Sequence, residues 1–248
     1  MAEINNTEKQ AIASVDAAWD INRKPATPHA WDVEFDGALP SPWTLGAGAV
    51  GTAIDAYTAF STAGEFRYSL NSRRKSYLMI QPTTASMVQV LSRALTAPAT
   101  DFYVVMRFSY LAKRAVTTDN RSNCYLRLGV DNNNYAYIYA NECDATSTHE
   151  VVAGRVSGGV ATELGSYGVF SSGPTNIEYI AIHKKSTTYH YWCGTSQGTW
   201  GYLGNNTVAG TPADVIVFCG DAGTTSPGNA IFGFDFIRFK DTSDFDLL

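Results

Sequence analysis

The sequence predicts an all-β protein: a two-sheet antiparallel sandwich or jelly roll behind one short N-terminal helix. Three observations carry this. About a dozen segments alternate apolar and polar residues, and a period of two marks strands with two distinct faces. Glycine, proline, asparagine and aspartate gather between them, where turns require them. Only residues 7–21 carry a convincing helical pattern. The 248 residues are 45% hydrophobic and 12% aromatic but only 17% charged, which supplies ample core for one large domain.

Taken in order, TEKQAIASVDAAWDI (7–21) places Ile12, Val15 and Trp19 at helical spacing, with Asn6 or Thr7 as cap. Its apolar face is narrow, so the helix needs a partner. NRKPATPHA has two prolines and no pattern and reads as a linker. Residues 1–30 are therefore expected to anchor or oligomerise the chain, and residues 31–248 to form the sandwich. From Trp31 the strand signals follow one another: DVEF, a turn at Asp36-Gly37, SPWTLGAG, FRYSL, SYLMIQPT, SMVQVLSRAL, DFYVVMRFSYLA, CYLRLGV, YAYIYA, HEVVAGRV, VATELG, NIEYIAIHK, TYHYWCG, TWGYLG, DVIVFCG and AIFGFDFIRFK. SMVQVLSRAL also fits a short helix through Val88, Leu91 and Leu95. The tail DTSDFDLL reads as a terminal strap or an unstructured end.

The most informative stretch is CYLRLGVDNNNYAYIYA (124–140). Leu126, Leu128, Ala136 and Ile138 form one aliphatic face; Tyr125, Arg127, Tyr135, Tyr137 and Tyr139 form the other. In DFYVVMRFSY, Tyr103 and Arg107 share the face opposite Phe102, Val104, Met106 and Phe108. If these strands are adjacent, Tyr103, Arg107, Tyr125, Arg127, Tyr135, Tyr137 and Tyr139 make one continuous surface. Tyrosine and arginine supply area, stacking and hydrogen bonds for a sugar or a protein partner. The competing readings are cross-strand pairing on a solvated sheet and burial under a loop or subunit.

Several function classes are disfavoured. A net charge of −5 offers no basic field for nucleic acid, and Arg73-Arg74-Lys75 reads as a hairpin tip. No apolar run approaches the roughly 18 residues of a membrane span, so no membrane insertion is expected. The polar start MAEINNTEKQ lacks a secretion segment, which predicts folding in a cytoplasm. Four cysteines make no disulfide scaffold, and strand parity turns Cys124 inward and Cys143 outward, so no bridge is expected between them. Gly194-Thr195-Ser196-Gln197-Gly198 matches a nucleophile elbow, but all four histidines precede Ser196 and no helix follows, so a hairpin turn accounts for it. Gly46-Ala47-Gly48-Ala49-Val50-Gly51 opens no helix and reads as a loop. Glu34 and Asp36 have the spacing of a hydrolytic pair but sit at a turn, so no catalytic residue is assigned. His183, His190 and Cys193 are a weak zinc pattern. Asp131, with the asparagines after it, is a weak calcium candidate and otherwise an ordinary turn residue. No cofactor is expected.

The order of motifs resembles the concanavalin A-like (laminin G-like) jelly rolls. TPHAWDVEFDGALPSPWTL, the central LGVDNNNYAYIY, the Trp192–Trp200 hairpin and the terminal GFDFIRF at 233–239 carry the resemblance, across about residues 28–240. Among these domains it is similar to those of tailed-bacteriophage virion proteins. The resemblance implies two antiparallel sheets with the domain's ends on neighbouring strands, and sugar or cell-surface recognition or a virion accessory role. The Glu-x-Asp-x-x-Glu strand of laminarinase-type enzymes is absent. The expectation is a non-enzymatic virion protein, displaying its jelly roll on the particle and contacting host glycans, joined to other virion proteins or to its own copies through residues 1–30. The alternatives are a carbohydrate-binding module or adhesin using the Tyr/Arg face and, behind it, a polysaccharide-degrading enzyme.

Overall fold

The computed structural model describes residues 27–35, 39–46, 49–52, 78–81, 88–112, 121–143, 149–167, 177–195, 200–221 and 231–244. The expected helix with Ile12, Val15 and Trp19 lies outside them, as do Asp36, Ser196 and the Arg73-Arg74-Lys75 cluster. The strands in chain order are β1 (Thr44–Leu45), β2 (Ala49–Thr52), β3 (Leu78–Gln81), β4 (Val88–Ala94), β5 (Phe102–Ala112), β6 (Arg121–Asp131), β7 (Asn134–Cys143), β8 (His149–Ser157), β9 (Val160–Tyr167), β10 (Ile177–Lys185), β11 (Thr188–Thr195), β12 (Trp200–Thr207), β13 (Asp214–Asp221) and β14 (Ile231–Asp241). Within SMVQVLSRAL, Val88–Ala94 resolves as strand, not helix: β4 is wedged between β1 and β13, and tertiary pairing overrides the helical spacing.

The strands form two seven-stranded sheets: a front sheet ordered β1-β4-β13-β6-β7-β8-β9 and a back sheet ordered β12-β11-β10-β5-β14-β3-β2. Neighbouring strands pair antiparallel throughout the described residues. Parity dictates the core. Phe102, Val104, Met106 and Phe108 of β5 meet Leu126 and Leu128 of β6, Ala136 and Ile138 of β7, Ile180 and Ile182 of β10, and Phe232 and Phe234 of β14. Each large side chain buried there contributes about 1.5–3 kcal/mol, so a one-residue slip of any central strand forfeits several such terms.

The segment before β1 is sewn to β14. Val33 and Ile237 exchange both backbone hydrogen bonds at 2.9 Å. The Asp32 carboxylate accepts from the Phe239 and His29 amides at 2.7 and 2.9 Å. Arg238 donates to both oxygens of buried Glu34 at 2.6 and 2.9 Å. Glu34 is thus a structural ion-pair partner, which removes it from the hydrolytic spacing weighed above. Cys124 is a buried free thiol facing the core, as its parity requires, and the ladder sets Cys143 opposite Arg121.

Candidate functional site

The front sheet's outer face is assembled by the β6–β7 hairpin and its neighbours. At the turn, Asp131 accepts hydrogen bonds from the Asn133 amide at 2.7 Å and from Asn134 Nδ2 at 3.0 and 3.1 Å. Its carboxylate is committed to the Asx turn that fixes the hairpin register. That register sets Tyr125 opposite Tyr139, Arg127 opposite Tyr137 and Gly129 opposite Tyr135. From the other side β13 sets Phe218 opposite Tyr125 and Asp214 opposite Gly129.

The tyrosines stack along the face. The ring centroids of Tyr125 and Tyr139 are 5.5 Å apart with planes 6° from parallel, and those of Tyr125 and Tyr137 are 5.2 Å apart at 18°. Phe218 meets Tyr125 edge-on at 5.8 Å. Such pairs are worth about 0.5–1.5 kcal/mol each beyond their area, so they rigidify the wall they form. Arg127 lies over the Tyr135 ring at 4.5 Å, donates to the Asp131 carbonyl at 2.9 Å and faces Asp214 at 3.8 Å. Gly129 makes this possible, since a Cβ there would sit 2.8 Å from Arg127 Nε. Gly154 on β8 does the same for Tyr137, whose hydroxyl would lie 2.5 Å from an added Cβ.

These side chains form an open cavity of about 250 Å³ lined by Asn123, Tyr125, Arg127, Tyr135, Tyr139 and Phe218. Tyr125, Tyr135 and Tyr139 are half-buried, whereas Tyr137 is only 4% exposed and supports the wall from within. Asn123 Oδ1 and Arg127 Nε are buried with no hydrogen-bond partner within the protein, while the Asp214 carboxylate accepts from the Gly129 amide and faces Arg127. Burial and the phenols of Tyr135, Tyr137 and Tyr139 hold the Tyr125 phenol well above its ordinary range. Burial, with Glu163 and the neighbouring phenols, pushes Tyr137 up to about 12. Both stay neutral hydrogen-bonding groups at physiological pH.

The expected continuous surface divides in two. Tyr125, Arg127, Tyr135, Tyr137 and Tyr139 come together; Tyr103 and Arg107 do not join them, because β5 belongs to the back sheet with the whole core between. Parity assigns a residue to a face but says nothing of which sheet that face belongs to. Tyr103 is 5% exposed and packs with Val105, Tyr179, Ala181 and Phe236. Arg107, also 5% exposed, donates to Asp235 Oδ2 at 2.8 Å and Glu178 Oε2 at 2.9 Å and lies 5.5 Å from the Tyr179 ring. Sequence reading missed this carboxylate pair because its members are 57 positions apart, on β10 and β14, and meet only through β5. Both acids are buried against one guanidinium, which binds three strands of the back sheet.

Sequence reading also missed Asn123 and Phe218. Asn123 shares the parity of Tyr125 and Arg127, and that signal would have found it. Phe218 reaches the cavity only through β6–β13 pairing and has no local signal. Of the metal patterns, His183 and His190 stand opposite each other with ring centroids 6.0 Å apart, while Cys193 points into the core, so the three do not converge. Among the described residues no three His, Cys, Asp or Glu side chains could hold a metal ion. Gly194 of β11 pairs with Trp200 of β12, and Ser196, Gln197 and Gly198 of that glycine-rich run lie outside the described residues. The run from Gly46 to Gly51 is not all loop as expected: Ala49, Val50 and Gly51 belong to β2 and pair with β3, in the sheet opposite β1.

No family model and no curated protein matches this sequence. Solved structures do match. One is the CBM2 module of the evolved Dit protein of Lactobacillus casei BL23 phage J-1, at a TM-score of 0.54 and 16% identity, covering 86% of this chain and 94% of that one. A protein of unknown function from Shewanella oneidensis matches at 0.52 and 12%, covering 98% and 97%. GH43B of a Bacteroides ovatus xyloglucan PUL matches at 0.51 and 13%, covering 88% of this chain; this chain spans only 42% of its length. At such identities the likeness is one of fold, and the fold is a jelly-roll sandwich shared by carbohydrate-binding and glycoside-hydrolase proteins.

Proposed function

We propose that this chain is a non-catalytic carbohydrate-binding sandwich displayed on a tailed-bacteriophage particle, and that it holds glycan in the front-sheet cavity. The observation that carries the reading is the cavity itself: aromatic walls held rigid by stacking, with an amide and a guanidinium in its lining. Sugars present apolar C–H faces and polar hydroxyls, and an aromatic cavity with few fixed polar groups complements both. The phage Dit module of the same fold supports both the glycan and the particle. In this reading residues 1–30 join the domain to other virion proteins or to further copies of the chain.

The test is calorimetric titration of the full chain with cell-wall polysaccharide from candidate hosts. Tyr139 is half-buried and lines the cavity, so Tyr139→Ala should weaken binding by roughly tenfold, the loss of about one strong stacking contact, and lower the melting temperature by only a few degrees, the share of its stack on Tyr125, with the chain still folded. Undiminished binding by a chain carrying both Tyr139→Ala and Asn123→Ala would remove the site. New reducing ends on the bound polysaccharide would remove the non-catalytic part of the reading.

A further inference from the structure

Beneath the cavity, on the core face of the same two strands, Cys124 of β6 stands directly opposite Cys219 of β13. Both are fully buried, and both are free thiols. The Cys219 thiol is hydrogen-bonded to that of Cys124. Directly opposed residues of an antiparallel pair have Cα atoms about 4.5–5.5 Å apart, inside the roughly 4.4–6.8 Å that a disulfide spans. Cys124's other ladder neighbour is Ala140, which is small, so the two sulfurs can approach without displacing a bulky side chain.

We propose that Cys124 and Cys219 form an oxidation site that closes to a cross-strand disulfide in the folded protein when it meets a low-molecular-weight disulfide or diazene. The step breaks two S–H bonds and forms one S–S bond. Two electrons and two protons pass to the oxidant, which leaves as two thiols in the first case and a hydrazine in the second. On the outer face the flanking register pairs are Asn123 with Gly220 and Tyr125 with Phe218. The bond therefore ties together the two strands that supply one wall of the cavity. Burial pushes the Cys219 thiol well up, so little thiolate is present near neutral pH. Both thiols are also fully buried, so the oxidant reaches them only through local opening of the fold; closure is slow and accelerates with rising pH.

The experiment treats the native full chain with diamide, then alkylates it in denaturant and maps its peptides by mass spectrometry. The expected product is a link between residues 122–127 and the peptide holding Cys219, formed equally in a Cys193→Ala chain and absent from Cys124→Ala. The oxidised chain should melt on the order of 10 °C higher, since the bond closes a loop of nearly a hundred residues. A folded, diamide-treated protein with both cysteines alkylated, or with Cys124 linked to Cys193, overturns the proposal. Neither result bears on the glycan reading, which the titration decides separately.

Discussion

Replacing Arg107 by methionine separates the two roles that Tyr/Arg patterning left open for it. In the back sheet its side chain is 6% exposed and its guanidinium reaches Glu178 at 2.9 Å and Asp235 at 2.8 Å, side chains that are 2% and 0% exposed. Burial alone would lower the arginine's pKa, yet Tyr179, Asp235 and Glu178 raise it above the ordinary range. Methionine fills most of the volume and removes the charge, leaving two carboxylates buried side by side. Breaking a buried pair from one end costs about 3–5 kcal/mol, which for a chain of this size is a fall of roughly 6–20 °C in melting temperature. The loss has a pH signature. Without the cation the folded state favours the protonated acids, so their folded pKa values lie above the unfolded ones; stability then falls as pH rises and is recovered on acidification. Thermal melts followed by circular dichroism at about pH 7 and about pH 4.5 check both, and the variant should regain part of its loss at the lower pH. Replacing all three groups by apolar residues should restore most of it. A variant that melts with the wild type but no longer binds glycan would refute the reasoning, because Arg107 would then be a ligand contact.

Two further outcomes follow from the front sheet. Gly154→Ala sets a methyl group 2.5 Å from the Tyr137 hydroxyl and 2.6 Å from the Thr162 carbonyl, which is backbone and cannot swing away; the cost of about 1–3 kcal/mol should appear as a fall of roughly 2–12 °C in the melt, and an unchanged melt would show that β8 and β9 part freely. At high pH the raised phenols make the fold yield: Tyr137, pushed up to about 12 by burial, ionises in the unfolded chain near 10 first, so its contribution is intact below about 10 and is lost as pH climbs toward about 12. Phenolate absorbance of the folded protein should lag well behind that of the denatured chain, and all 14 tyrosines titrating together near 10 would contradict the burial.

Much of this was legible in the chain. Alternation alone separates Leu126, Leu128 and Ile138 from Tyr125, Arg127 and Tyr139, because strand geometry sends neighbouring side chains to opposite sides. The turn at Asp131–Asn134 is written in residues that make Asx turns. The jelly-roll class follows from the number and spacing of such segments, and most of the cavity lining lies within one hairpin of 17 residues read at sight. Val88, Leu91 and Leu95 were ambiguous because a short apolar run satisfies both periods, and pairing with β1 and β13 chose the strand.

By itself, then, the sequence determined the local quantities: which residues extend, which turn, and which side of its own strand each one takes. These depend on covalent geometry and on neighbours within a few positions. The tertiary structure alone decided which strands lie side by side. That choice sent Tyr103 and Arg107 to the far side of the core, brought Glu178 and Asp235 onto one guanidinium, delivered Phe218 to the cavity from β13, and set Cys124 against Cys219 and not Cys143. Each of these contacts joins positions far apart in the chain, and only the simultaneous burial of both sheets' apolar faces selects among the strand orders that local pattern allows.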